Sequence, residues 1–280
     1  MGNCSFCGKP AGLFRKQHPQ CVALRDAGWT EMVEISKQAA VGRGSVDNLE
    51  GRLVTKARAS FVPETGVRTA QVAGWEAAVD HLLEDGSLDK QEEAALVAFQ
   101  RRFSLSQDDL DRRGAYSRVL KGAIIRDLLE GKIPQRVTVS SQLPFNFQKN
   151  EQLIYLFPTV EYLEDRTRTQ YFGGYQGVSV RVMKGVYYRV GGFRGNPVGR
   201  TERLHVDSGP LAVTTKHLYF GGPRKSFRVR HDKIVTFIPY TDGVGIIRDA
   251  ATAKPQVFVT GDGWFAYNLL ANVSQLGAGV

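Results

Sequence analysis

The residues best suited to chemistry lie in the first 21 positions, in the pattern Cys-x2-Cys-x10-His-x2-Cys. They are Cys4, Cys7, His18 and Cys21, and the chain has no other cysteine. Thiolate sulfur and imidazole nitrogen are the ligands that Zn²⁺ takes in structural sites, four of them in a tetrahedron. The spacing therefore predicts that these residues bind zinc. Because protein ligands would fill all four positions, the predicted role is structural, with no position open for catalysis.

The residues around the ligand pairs agree with a small metal-binding element. Gly8 and Gly12 supply turns around the first pair, and the second pair runs into a helix-competent stretch, residues 22–40. One pair of ligands in a loop, followed by a second pair at the start of a helix, resembles treble-clef and short zinc-ribbon motifs. That resemblance implies metal binding and no activity. A Cys4–Cys7 disulfide, a thioredoxin-like redox pair and iron are the alternatives. The two redox alternatives lack a βαβ pattern and leave His18 and Cys21 unexplained.

Composition sets the class of protein. The chain has 280 residues, of which 42% are hydrophobic, enough for one large domain or two to three small ones. It has no apolar run of about 18 residues and no basic-then-apolar N-terminus, so neither a transmembrane segment nor secretion is expected. We expect a cytoplasmic protein, because thiolates remain reduced there, with peripheral membrane attachment as a further option.

The formal net charge of +9 is concentrated in the second half of the chain. Residues 1–150 carry 21 basic and 18 acidic side chains, whereas residues 151–280 carry 16 and 10. A cationic domain attracts phosphates, whether on lipid headgroups or on nucleic acid. A modest excess of positive charge also serves solubility, so the sign of the charge does not choose between these roles.

Hydrophobic spacing divides the first half of the chain. We predict a zinc-binding head with its following helix over residues 1–40, a linker or weak strands over 41–72, and a three-helix module over 73–134. Ser106, followed three residues later by Asp109, has the pattern of a helix N-cap.

From residue 135 the sequence changes to short β-branched or aromatic runs, the first of them Val137–Val139, separated by Gly, Pro and Asp turns. This pattern predicts an antiparallel barrel or sandwich over residues 135–280. Apolar positions from Trp264 to Val273 have the spacing of one amphipathic helix that closes the domain. The predicted fold class is therefore α+β with several domains: a zinc-binding head, a helical middle and an antiparallel β-domain with a C-terminal helix.

Part of the β-region resembles bacterial pleckstrin-homology-like (PH-like) and GRAM-type domains. The resemblance is carried by residues 209–220, the basic run 224–228, residues 232–235 and the Tyr240-x-Asp242-Gly243 turn. In those families a G-x-L-x-x-T strand leads to an aromatic strand, a basic strand and an I-V strand. The resemblance implies a domain that binds phosphoinositides, peptides or proteins. The segment Glu161–Arg203 is longer than a minimal domain of this kind needs, so the ligand loop stays unassigned.

Basic residues on and beside one predicted strand are the candidate ligand-binding site: Arg224, Lys225, Arg228, Arg230 and Lys233. Arg228 and Arg230 alternate with apolar residues, so they share one face of the strand. Two guanidinium groups about 7 Å apart on one face are able to grip a phosphate. A solvated outer face explains the same alternation and remains open. Arg166 and Arg168, placed by the sequence in a turn after the first strand of the domain, are a second candidate.

No group of residues predicts catalysis. His205, Asp207 and Ser208 lie too close together on one predicted strand to converge as base, orienting acid and nucleophile. We therefore predict a non-enzymatic, bacterial-type adaptor with structural zinc and a PH-like domain that docks on a protein partner or an anionic membrane surface.

The alternative function is that of a nucleic-acid-binding zinc protein. Phe14, Arg15 and Lys16 between the ligand pairs favour it, whereas the near-neutral helix after Cys21 opposes it. The sequence predicts no oligomeric state.

Overall fold

The computed structural model describes residues 2–276, apart from residues 13–14, 85–87, 140–141, 184–185 and 251–252 and the side chains of residues 166–202. The chain divides into two compact units, Met1–Glu130 and Gly131–Val280. The first unit contains the cysteine and histidine cluster with the helices, and the second contains the sheet with the C-terminal helix. The predicted α+β class is confirmed.

Six helices are described in the first unit: α1 (Pro19–Ala40), α2 (Leu49–Ala59), α3 (Thr65–Leu82), α4 (Lys90–Arg102), α5 (Gln107–Leu110) and α6 (Ala115–Leu129). Close packing of α3 on α1 requires Gly74, because a Cβ atom there would lie 2.3 Å from the Cβ of Ser36. The buried Trp75 ties α3 to α4, since its Nε1 donates a hydrogen bond to the carbonyl of Leu96 at 3.1 Å. The unit is therefore organised around α3.

Two helices of the first unit begin with capping boxes. The Ser106 hydroxyl oxygen accepts a hydrogen bond from the backbone N–H of Asp109, and the Asp109 carboxylate accepts one from the backbone N–H of Ser106, so the predicted N-cap is confirmed. Asp89 and Glu92 make the same reciprocal bonds at the start of α4. Each box satisfies backbone N–H groups that the first helical turn leaves without partners.

The structure differs from the prediction over residues 41–72, which contain α2 and the first turns of α3 in place of a linker or weak strands. Leu49, Leu53 and Ala57 are fully buried at four-residue spacing on one face of α2. One apolar residue per turn among polar neighbours is a weak periodic signal. Packing against the neighbouring helices, more than local propensity, stabilises such a helix.

Seven strands form one antiparallel sheet in the second unit, in the order β4-β3-β2-β1-β7-β6-β5. They are β1 (Leu153–Met183), β2 (Val186–Thr214), β3 (His217–Gly221), β4 (Ser226–Arg230), β5 (Ile234–Pro239), β6 (Gly243–Arg248) and β7 (Gln256–Val259). A short 3-10 turn, His231–Lys233, joins β4 to β5. The prediction of a strand at Val137–Val139 is wrong, because these residues belong to none of the seven strands.

The hairpin of β1 and β2 explains the long insertion seen in the sequence. The two strands pair from Leu153 opposite Thr214 to Met183 opposite Val186. β7 pairs with residues 161–164 of β1, and β3 pairs with residues 211–213 of β2. In the described pairings, the part of the hairpin past Glu164 of β1 and Leu204 of β2 is therefore a two-stranded extension of the sheet.

Helix α7 (Gly263–Leu276) covers the sheet, as the spacing of its apolar residues predicts. Phe265 is fully buried, and its ring centroid lies 4.7 Å from that of Tyr155. Tyr162, Phe220 and Phe258 stack in the core of the unit, with ring centroids 5.1 Å and 5.3 Å from that of Tyr162. Among the described residues, no helix combines the length and the hydrophobicity that crossing a bilayer requires.

Candidate metal centre and basic strand

The structure brings together the four predicted metal ligands. One ligand atom from each of Cys4, Cys7, His18 and Cys21 lies within 4.8 Å of the other three. The Nδ1 atom of His18 is 3.3 Å from the sulfur of Cys7 and 3.8 Å from that of Cys21. A tetrahedral zinc site with Zn–S bonds of about 2.3 Å has edges of about 3.8 Å. The cluster is therefore able to bind a metal ion such as zinc.

The first ligand pair sits on a tight turn. The backbone N–H of Gly8 donates to the carbonyl of Cys4 at 2.9 Å, and Gly8 has a φ of 71°. Gly12, with a φ of 90°, lets the chain turn back toward the second pair. Glycine adopts such positive φ values without the steric cost that a Cβ atom brings. The predicted turns are confirmed.

The second ligand pair sits at the start of α1, which begins at Pro19, earlier than the predicted start at Val22. His18 occupies the N-cap position, and Cys21 lies in the first turn, where its N–H donates to the carbonyl of His18 at 3.0 Å. The positive end of a helix dipole favours thiolates in this position.

The imidazole of His18 is oriented for metal binding through Nδ1. Its Nε2–H donates a hydrogen bond to the carbonyl of Pro10 at 2.9 Å, and this bond raises the pKa of His18. A proton held on Nε2 leaves the lone pair on Nδ1, the atom closest to the cysteine sulfurs. Metal-binding histidines characteristically donate their second ring N–H to a carbonyl or carboxylate.

The thiols have the electrostatics of a cation site. Burial raises the pKa of Cys4, but backbone N–H groups of Cys7, His18 and Phe6 outweigh it and lower this pKa to about 6. Burial and the neighbouring thiols raise the pKa of Cys21 to about 11. Several negative charges this close together are unfavourable without a cation among them. A divalent metal ion would remove that penalty, so the donor set fits zinc.

The five basic candidates fall into two groups. Arg224 and Lys225 lie in the turn between β3 and β4 and form ion pairs within the unit, Arg224 with Asp207 at 3.5 Å and Lys225 with Glu164. The remaining three lie on and just after β4: Arg228, Arg230 and Lys233.

Strand β4 has the alternation that the sequence predicts. Arg228 and Arg230 are exposed, whereas Val229 is only 4% exposed on the opposite face. Arg230 pairs with Asp232 at 2.6 Å. Arg228 and Lys233 form no ion pair with any described residue. Whether these residues bind a ligand stays a prediction.

Sequence reasoning missed other basic residues that share a cavity with this group. Lys216 follows β2, and Arg248 ends β6, yet both line the same cavity as Arg228, Arg230 and Lys233. No local spacing relates residues so far apart in the chain, and only the antiparallel topology places them together.

The remaining candidates are placed as follows. His205 and Ser208 do meet, contrary to the prediction, with Nε2 and Oγ 2.9 Å apart. Asp207 is buried and accepts hydrogen bonds from the backbone N–H groups of Arg224 and Lys225 at 2.7 and 2.8 Å, so it braces the β3–β4 turn. Arg166 and Arg168 lie within β1, not in a turn, and their side chains are outside the described set.

The loop between the two ligand pairs is described in part. Arg15 and Lys16 are exposed, and Phe14 lies outside the described residues. Exposed basic residues beside the metal cluster keep the nucleic-acid alternative open.

No family model matches this chain, and neither a curated protein nor a solved structure was found to match it.

Proposed function

We propose that this protein is a non-enzymatic adaptor. Structural zinc, held by Cys4, Cys7, His18 and Cys21, would stabilise the start of the helical unit. The β-domain would dock on an anionic surface, either a membrane or an acidic protein partner. The single observation that carries the proposal is the row of exposed cations on and after β4, an edge strand whose opposite face is buried.

The sheet topology supports a PH-like assignment of the second unit. Four strands, β1 to β4, form one antiparallel meander and three strands, β5 to β7, form another. β7 returns to pair with β1, and α7 packs on the sheet. An antiparallel β-domain with a closing C-terminal helix is what the resemblance in residues 209–243 implies. Such domains function by binding, so the assignment favours an adaptor over an enzyme.

The metal site supports a structural role. All four donors come from the chain itself, which leaves a tetrahedral ion no position for a substrate or a water molecule. The ligands span the start of α1, so an ion there would fix the N-terminal segment to that helix.

Charge on the β-domain supports an anionic partner. Basic residues near an anionic bilayer contribute about 1 kcal/mol each, and the attraction falls off within a Debye length. Arg228 and Lys233 have no carboxylate partner among the described residues, so their charge is available to an external surface. Docking through such residues weakens as salt rises.

The test is sedimentation of the full chain with vesicles of phosphatidylcholine, with and without phosphatidylserine. We expect retention on the phosphatidylserine vesicles only, decreasing from 50 to 300 mM salt by about tenfold or more. Equal retention on both vesicle types, or none on either, would contradict membrane docking. If duplex or single-stranded DNA binds instead, with a steep dependence on salt, the nucleic-acid alternative is favoured.

A further inference from the structure

A cavity of about 1180 Å³ lies at one end of the β-domain, where the turn after β2, the 3-10 turn after β4 and the end of β6 meet. Five cationic side chains line it: Lys216, Arg228, Arg230, Lys233 and Arg248. We infer that this cavity binds the phosphate groups of a polyphosphorylated ligand, carried by a small molecule or by a lipid headgroup. The inference rests on the proposed anionic docking and assigns its site and its chemistry.

The charge in the cavity is unbalanced. Asp232 is the single acidic residue among the described residues that line it, and Arg230 already holds that carboxylate through two hydrogen bonds, Nη2 to Oδ2 at 2.6 Å and Nε to Oδ1 at 3.0 Å. The other four cations form no ion pair within the part of the chain that the structure describes. Like charges that face one space repel each other, and a bound anion converts that repulsion into attraction.

Two histidines in the cavity wall each have one ring nitrogen fixed by the protein. His217 donates from Nδ1 to the buried carboxylate of Glu151 at 2.9 Å. His231 donates from Nε2 to the carbonyl of Thr214 at 2.8 Å.

The second nitrogen of His231 is unusual. Its Nδ1 is buried and has no hydrogen-bond partner among the described residues, although such atoms are nearly always paired in folded proteins. Because Nε2 carries the proton and burial lowers the pKa of His231, this Nδ1 is a lone-pair acceptor: a ligand hydroxyl would satisfy it, and an unprotonated phosphate oxygen would not.

Phosphate is the anion that this lining fits best. Guanidinium groups bind phosphate oxygens through two parallel hydrogen bonds, and three of the five cations are arginines. The volume exceeds the roughly 300–1,000 Å³ typical of sites for small molecules, so one phosphate would leave most of it empty. A ligand with at least two phosphate groups uses both the volume and the number of cations.

The first arm of the test measures a soluble probe. Isothermal titration of the full-length, zinc-containing protein with pyrophosphate at about 0.15 M salt should show saturable binding to one site. Lys233→Gln/Arg248→Gln should weaken it about 100-fold or more, because two charged hydrogen bonds to phosphate oxygens are lost. The matched control, Arg52→Gln/Lys254→Gln, removes two exposed positive charges outside the cavity and should change the affinity less than about threefold.

The second arm identifies the source of the phosphate. Vesicles with a phosphatidylinositol bisphosphate and vesicles with phosphatidylserine are compared at equal surface charge. Preference for the bisphosphate lipid, lost in Lys233→Gln/Arg248→Gln, assigns the cavity to a lipid headgroup. Pyrophosphate binding without that preference assigns it to a free phosphorylated molecule.

Several results would overturn the inference. One is wild-type protein that shows no saturable pyrophosphate binding. Another is equal weakening by both double variants, which would mean that diffuse charge causes the binding. Retention on phosphatidylserine vesicles without pyrophosphate binding would refute the cavity site and leave the proposed docking standing. Pyrophosphate binding without any retention on vesicles would refute the membrane docking alone.

Discussion

Cys4→Ser should abolish metal binding, lowering the zinc content of purified protein from about one ion per chain to nearly none. Cys4 is only 2% exposed, and its sulfur accepts the backbone N–H of His18 at 3.4 Å, so it links the two ligand pairs. A serine hydroxyl at neutral pH is a poor substitute for a thiolate. Elemental analysis measures the loss, and limited proteolysis should then show new cleavage within residues 2–18.

The matched control is Ser5→Ala, in the same turn. Ser5 is exposed, and its hydroxyl accepts a hydrogen bond from the Gln17 side chain at 3.2 Å, so this variant should keep its full zinc content. Because protons compete with zinc for the thiolates, acidification should release the metal from the wild-type protein. A Cys4→Ser variant that retains zinc, or wild-type protein that carries iron, would contradict the zinc assignment.

Glu151→Ala should destabilise the β-domain by about 3–5 kcal/mol, because it leaves several buried donors without an acceptor. The side chain of Glu151 has no exposed surface. It accepts hydrogen bonds from Tyr219 at 2.8 Å, from His217 at 2.9 Å and from the hydroxyl of Thr214. The carboxylate thus ties the segment before β1 to β2 and β3. Denaturant unfolding measures the change.

Glu161→Ala is the matched control, since Glu161 is exposed on β1; its effect should stay within about 0.5 kcal/mol.

Acid unfolding gives a second measure of the role of Glu151. Burial alone raises the pKa of Glu151, but hydrogen bonds from Thr214, the backbone of Gln148, Tyr219 and His217 outweigh it and lower the pKa. Because folding lowers this pKa, the ionised carboxylate stabilises the folded state at pH values above the ordinary glutamate pKa of about 4.3. That stabilisation is lost as the pH falls through the folded-state pKa. Equal stability of Glu151→Ala and wild type at neutral pH would contradict this role.

Local spacing in the sequence was sufficient to predict the features that are formed by residues close together in the chain. The metal cluster, the Ser106 cap, the alternation on β4 and the apolar face of α7 each depend on residues close together in the chain. Ligand spacing, capping and side-chain periodicity operate within a few residues, so a single sequence carries them.

Features that depend on contacts between residues far apart in the chain could not be predicted from local spacing. Helix α2 forms on one buried residue per turn, a signal too weak to separate from a polar linker. The length of the β1–β2 hairpin depends on pairing across strands, which the glycine-rich sequence of residues 173–195 does not reveal. Lys216 and Arg248 reach the same cavity as Lys233 only through the order of strands in the sheet.

Retention on phosphatidylserine vesicles, compared between wild-type protein and Arg228→Glu/Arg230→Glu at matched salt, tests the docking account most directly. The matched control is Arg43→Glu/Arg52→Glu, which makes the same change of charge at exposed positions of the helical unit. We predict that the β4 variant loses at least about 30-fold in affinity for the vesicles, because each of the two lost basic residues contributes about 1 kcal/mol of binding free energy. The control variant should stay close to wild type. Undiminished retention of the β4 variant would contradict the proposed docking surface.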